Sequence, residues 1–176
     1  EFPYLEHPEN ISLALKVCQE LGIDKDKALE GMISTKPDPG ALLIWNIINN
    51  NQFISAFAAN DPDSTFKVWK LIKKSFKNKT CVFLNSRDDR RYRTEQLIRL
   101  VLGKIKPNLF VLRADNVNHL IEQHKTNTII KLFPMSSKQN NIVDYLINLN
   151  SCTIVGIGNI VGWGDEFLNK LENFKI

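Results

Sequence analysis

The sequence predicts an α/β fold: a mostly parallel sheet with helices on both faces and one antiparallel strand, preceded by a short helical segment. Three observations carry this. Near-continuously apolar runs alternate with stretches of helical spacing, as strands buried on both faces require. Two β-rich runs, 41–47 and 53–58, are joined by so short a connection that they must pair antiparallel. The first forty residues show helical spacing and no strand. At 176 residues, with 43% apolar and 24% charged residues, the chain suits one domain plus a short annex. That composition excludes disorder, collagen and coiled coil. No apolar run approaches the roughly 18–20 residues that span a bilayer.

Taken in order, residues 9–21 place Ile11, Leu13, Ala14, Val17, Cys18 and Leu21 on one helical face, and Gly22 stops that helix. Asp24 caps a second short helix, which ends at the break Lys36-Pro37-Asp38-Pro39-Gly40. The annex reads as the end of a preceding unit. Asn49-Asn50-Asn51 turns the first strand into the second. Later strands are 80–84, 109–113, 128–133 and 152–156, and helices lie near 62–76, 90–102, 116–124, 138–149 and 164–173. Cys18, Cys81 and Cys152 each sit in an apolar stretch, which suits reduced thiols. The net charge of +4 comes with one short basic cluster only, so nucleic acid is not an expected partner.

Ligands of such sheets bind at strand-to-helix turns, and three turns carry chemistry. In Asn60-Asp61-Pro62-Asp63-Ser64-Thr65, Asp61 and Pro62 suit the start of a helix, while Asn60 and the small Ala58 and Ala59 would admit a ligand. In the second, Asp88 or Asp89 can cap the next helix, yet Arg90, Arg91 and Arg93 crowd its positive end, with Arg87 preceding them in the same loop. Such crowding opposes the helix dipole unless an anion is held there; a solvated charge run, with Arg91 pairing to Glu95, is the alternative. In the third, Gly156-Ile157-Gly158-Asn159-Ile160-Val161-Gly162 follows a strand, and its glycines serve either a ligand or tight packing. Ala114–Asn116 and Pro134–Ser137 read as plain helix caps, and His119 and His124 as surface residues. No Gly-Lys-Ser/Thr loop occurs anywhere in the chain.

Read together, His7-Pro-Glu-Asn10, Leu21-Gly-Ile-Asp24, Lys36-Pro-Asp-Pro-Gly40, Phe57-Ala-Ala-Asn-Asp-Pro62, Asn85-Ser-Arg-Asp-Asp-Arg90 and Gly156-Ile-Gly-Asn-Ile-Val-Gly162 resemble the CapB/PgsB family. These are poly-γ-glutamate synthases related to the Mur ligases. The resemblance implies that residues 1–40 end a central ATPase domain and that 41–176 form the C-terminal, Rossmann-like domain. It implies an amide ligase that uses ATP and Mg²⁺, both held mainly by the central domain, with Asn10 near the adenine. Here His7 takes the place of the first Mur asparagine, Ala41 that of the hinge arginine, and Phe57 that of the leading aspartate.

The implied reaction phosphorylates the terminal carboxylate of a growing chain, and the amine of the next glutamate attacks the acyl phosphate. By the same resemblance Arg87, Arg90 and Arg93 clamp carboxylates, Asn60, Asp61, Ser64 and Thr65 orient the amine or phosphate, and Gly156, Gly158 and Asn159 form the closing turn. Expected partners are glutamate, the poly-γ-glutamate chain and other capsule-synthesis proteins, with the complete protein peripheral on the cytoplasmic side of the bacterial membrane and this fragment soluble. Two readings compete with it: a non-catalytic docking module for capsule-synthesis partners, and a stand-alone nucleotide-binding domain.

Overall fold

A computed structural model describes residues 8–35, 41–59, 61–76 and 79–176. His7, Asn60 and the Lys36–Gly40 break therefore lie outside the described residues.

Helices α1 (Pro8–Glu20) and α2 (Lys25–Ser34) form the annex. Gly22, at φ +76°, closes α1: its N–H reaches Gln19 O and that of Ile23 reaches Cys18 O, both at 2.9 Å. Asp24 then caps α2, accepting from the N–H groups of Asp26 and Lys27. Ala28 is the one buried residue among the described part of this annex, and Leu13, Val17 and Leu21 are 67%, 52% and 74% exposed.

Every strand of the sheet lies beyond it: β1 (Leu43–Ile47), β2 (Asn51–Ser55), β3 (Lys79–Asn85), β4 (Leu109–Arg113), β5 (Ile129–Phe133) and β6 (Cys152–Gly158). The order is β1-β2-β6-β3-β4-β5, antiparallel between β1 and β2 and parallel elsewhere. The reversed strand is thus an edge, as expected. Asn49 and Asn50, at φ 58° and 55°, lie in the three-residue connection 48–50, which the Asn51 N–H closes on Ile48 O at 3.3 Å. Strand β2 starts two residues earlier than the sequence pattern suggested, because Asn51 is fully buried at its head. Its Oδ1 accepts from Cys152 N–H at 3.0 Å and its Nδ2 donates to Leu149 O at 2.7 Å, pinning the start of β6.

Side chains alternate between two cores. Val82, Leu84, Phe110, Leu112 and Val155 pack under α3 (Pro62–Ile72), α4 (Arg91–Leu100) and α5 (Asn118–Glu122). Cys81, Phe83, Val111 and Ile154 pack under α6 (Gln139–Ile147) and α7 (Trp163–Glu172). Each fully buried large apolar side chain contributes about 1.5–3 kcal/mol, so stability resides in the sheet domain. Burial also pushes the Cys152 thiol up to about 11 and holds the Cys81 thiol well above its ordinary range, and all three cysteines are free.

Three sequence expectations need correction. Helix α4 continues through a π-helical turn, Val101–Ile105, because Val101, Leu102 and Ile105 extend its buried face; left-handed Lys106 ends it. Helix α5 is only five residues. Neither α5 nor α6 has a side-chain cap. Asp115 instead accepts from Met135 N–H at 3.1 Å, tying the β4 turn to the β5 turn. No described helix is long and apolar enough to cross a membrane.

Candidate functional site

Adjacent strands β3 and β6 lead into helices on opposite faces, α4 and α7. Parallel neighbours that part in this way open a crevice at their carboxyl ends, where ligands of open α/β sheets bind. The crevice here is lined by Asn85, Ser86, Arg87, Arg90, Arg93, Gly158 and Asn159, with Leu84, Thr94 and Leu97, around a small cavity of about 40 Å³. The arginine turn and the glycine turn, 70 residues apart in sequence, thus form its two walls. A wider hollow of about 310 Å³ adjoins it, sharing Ser86, Arg87 and Thr94 and adding Arg91, Asp115 and His119.

The arginine turn differs from expectation at its carboxylates. Residues Asp88–Arg90 form a 3₁₀ turn, Arg90 precedes α4, and no side chain caps that helix. Asp89 pairs with Arg87 instead, in a fork of Nε to Oδ1 at 2.8 Å and Nη2 to Oδ2 at 2.7 Å. The fork holds the Asp89 carboxyl below its ordinary range and raises the Arg87 guanidinium, first through the hydrogen bonds and then through charge. Arg90 and Arg91 are exposed and Arg93 is half-buried. The result is a cationic, uncapped helix start facing the crevice.

The glycines divide the other wall's tasks. Gly156 lies within β6, where a Cβ would come 2.7–2.8 Å from the Phe57 and Phe53 rings, so its smallness serves packing. Gly158, at φ +95°, lets the chain turn against the Asn85 carbonyl, with which a Cβ would collide. Asn159 donates its N–H to Asn85 O at 2.9 Å and its Nδ2 to Val161 O at 2.8 Å.

The β2–α3 turn is spent on itself. Asp61 Oδ1 accepts from the N–H groups of Asp63 and Ser64, both at 3.0 Å, which lowers the Asp61 carboxyl below its ordinary range. Buried Thr65 donates its hydroxyl to Ala59 O at 2.7 Å, which removes that hydroxyl from reach of a ligand. Asp61, Ser64 and Thr65 do not line the crevice, and neither does Asn10, exposed in the first turn of α1.

The sequence reading passed over Arg113. It ends β4, is only 7% exposed, and sends Nη1 to Asn85 Oδ1 at 2.9 Å. Its guanidinium stacks 4.2 Å from the centroid of the Trp163 ring. The available signal was a charged residue closing an otherwise apolar strand, LFVLR.

The architecture is that of the Mur ligases. A UDP-N-acetylmuramoylalanyl-D-glutamyl-2,6-diaminopimelate–D-alanyl-D-alanyl ligase from Acinetobacter baumannii matches with a TM-score of 0.67 at 16% identity, over 98% of this chain and 38% of that one. A pseudomurein peptide ligase type C from Methanothermus fervidus matches with a TM-score of 0.63 at 20% identity, over 92% of this chain and 35% of that one. At such identities the likeness shows the fold. The family described as poly-gamma-glutamate synthase CapB C-terminal domain matches residues 46–174, and the chain belongs to that family. It is 32% identical to the PGA synthase CapB of Bacillus subtilis and 31% identical to the capsule biosynthesis protein CapB of Bacillus anthracis. All of this chain aligns, covering 47% and 40% of those two proteins, so it spans less than half their length.

Proposed function

We propose that this chain is the C-terminal part of an ATP-dependent amide ligase that polymerises glutamate into poly-γ-glutamate for a capsule. In this reading the domain, residues 41–176, closes over the reaction and binds the incoming amino acid. The observation that carries it is the crevice between β3 and β6, with Arg87, Arg90 and Arg93 at an uncapped helix start. A carboxylate there would gain charge-assisted hydrogen bonds of about 1.5–3 kcal/mol each and relieve the opposition of cations to the dipole. The family name and the relatives' names supply the substrate class.

The chemistry follows from what the ligand must do. The glutamate amine attacks the acyl carbon of the activated chain end, the new C–N bond forms, phosphate leaves with the C–O electrons, and the amine gives up a proton. Arg90 and Arg93 would hold carboxylates of the substrate, and Asn159 would close the opposite wall. Holding both reactants at near-attack distance removes much of the entropic barrier, and a closed domain shields the acyl phosphate from water. ATP supplies the phosphoryl group. Among the described residues no three His, Cys, Asp or Glu side chains gather where they could hold a metal ion. ATP and Mg²⁺ belong, in this reading, to the central domain of the complete protein, and its docking with other capsule-synthesis proteins at the membrane is part of the same proposal.

Calorimetric titration of the chain with D-glutamate, L-glutamate and a short γ-glutamyl oligomer tests it. We expect oligomer binding that weakens with salt and falls about tenfold in Arg90→Ala. No binding of any of the three by this chain or by the complete protein would overturn the reading.

A further inference from the structure

Arg113 is a cation in a poor place for one. Among the described residues the ion pairs are Lys16–Glu20 and Arg87–Asp89, so no carboxylate contacts it. Its Nε meets no acceptor among the described residues. Burial pulls its pKa down, with Asp88 and Asp115 opposing that through space. A buried, unpaired guanidinium costs stability, and an apolar side chain of similar size would cost less. Filling space does not account for it.

Its geometry does something else. Gly158, Asn85 and Arg113 occupy one rung across β6, β3 and β4. Arg113 is itself held: Nη2 donates to the Met135 carbonyl, and the Trp163 ring beneath it is fixed by a 2.9 Å hydrogen bond from its Nε1 to Ser137 O. From that fixed position Nη1 engages Asn85 Oδ1, which leaves Nδ2 pointing at Asn159 O, 2.7 Å away. The Asn85 carbonyl meanwhile takes the Asn159 N–H. One residue therefore grips Asn159 at both its N–H and its C=O, and Arg113 decides which way that residue's amide faces. An amide rotated by half a turn would present oxygen to oxygen at Asn159.

We infer that Arg113 is a positioning residue of the crevice: by locking the Asn85 amide it fixes the Gly158–Asn159 wall opposite the arginines, without itself touching a ligand. What the fixed wall is for rests on the anion-binding reading above; the lock does not.

The test is residue-resolved amide hydrogen exchange on the full 176-residue chain, with Arg113→Met and Arg113→Lys. In the Met variant the Asn159 amide should exchange at least about tenfold faster relative to Val82 and Ile154, a factor worth about 1.4 kcal/mol of local opening. The Lys variant, which can still donate to Asn85, should recover part of the protection. Should the Met variant loosen everywhere, Asn85→Asp decides, because it keeps a partner for Arg113 but cannot donate to Asn159; the same local loosening is expected. An Asn159 amide that stays protected in both variants would overturn the inference. Inorganic phosphate, titrated in parallel, separates the two readings. Weaker phosphate binding in Arg113→Met with partial return in Arg113→Lys supports the lock's purpose, whereas a lowered Tm with unchanged phosphate affinity makes Arg113 merely structural and overturns it. If the wild-type chain binds no phosphate, the anion reading suffers and the exchange data alone judge the lock.

Discussion

The turns after β2 and β3 start helices on the same face of the sheet, yet they use their polar residues in opposite ways. After β2, the polar groups go to the backbone: Asp61 caps α3 and Thr65 closes on Ala59. After β3, the helix has no side-chain cap and the cations Arg90 and Arg91 stand exposed at its positive end. A self-satisfied turn contributes to folding; a turn left electrostatically unsatisfied is available to a ligand. The difference teaches that polar residues at strand ends are to be judged by who receives their hydrogen bonds, not by their number.

The comparison breaks first, and most visibly, at the β3 turn. Replacing Arg90 and Arg93 together with Ala should weaken binding of a γ-glutamyl oligomer by roughly a hundredfold, since two charge-assisted contacts are lost. Melting temperature should fall little, because removing two cations from the positive end of α4 offsets the contacts that half-buried Arg93 makes. Calorimetry beside differential scanning separates the two readouts. A lower Tm with intact binding would make this turn a structural one like its neighbour.

The β2 turn should respond the other way. Thr65→Val leaves the Ala59 carbonyl without its partner in a buried place, at about 1–3 kcal/mol. For a chain of this length each kcal/mol lowers Tm by about 2–4 °C. Oligomer affinity per folded molecule should be unchanged.

Asp61→Ala should cost less, about 1 kcal/mol, the usual worth of an N-cap. Here pH sharpens the test. The folded Asp61 carboxyl lies below its ordinary range, so its contribution is present above the unfolded value, about 3.9, and is lost as pH falls through the folded one. The Tm gap between wild type and Asp61→Ala should therefore be full at neutral pH and narrow below about pH 4. A gap independent of pH would mean that the carboxylate charge does not matter to the cap.

Much of this contrast was legible in the sequence, and the reasons are local. Asp61-Pro62 announces a helix start, four arginines after an apolar run announce a misplaced charge, and glycines after Cys152–Val155 announce a close approach. Period and turn chemistry also gave the strands, their mostly parallel pairing and the reversed edge. What stayed hidden depends on residues far apart. That β6 inserts between β2 and β3, making the two loaded turns one crevice, follows from pairing across the whole chain. Arg113 reads as an ordinary exposed strand end until Trp163 and Met135, 50 and 22 residues away, close over it. Asp88 and Asp89 looked like caps because Asp commonly caps; the choice of Asp89 to fork with Arg87 was a competition that spacing alone does not decide.

That fork supplies the smallest and most discriminating effect. Arg87 already holds a carboxylate, and the carboxylate is the protein's own. The Arg87 side chain is 36% and that of Asp89 59% exposed, so the solvent-facing pair adds little to stability and salt should screen it readily. If Asp89 is a stand-in for the substrate's carboxylate, the two compete for the same face of the guanidinium. Asp89→Ala should then strengthen γ-glutamyl oligomer binding by a few-fold, with Tm unmoved, and lowering the pH through the depressed Asp89 range should do the same to the wild type alone, provided the oligomer's own carboxylates remain ionised. If instead Asp89→Ala weakens binding, the fork is a brace that aims Arg87 at the crevice, and the β3 turn shares more of the self-satisfied character of its neighbour than the other three tests suppose.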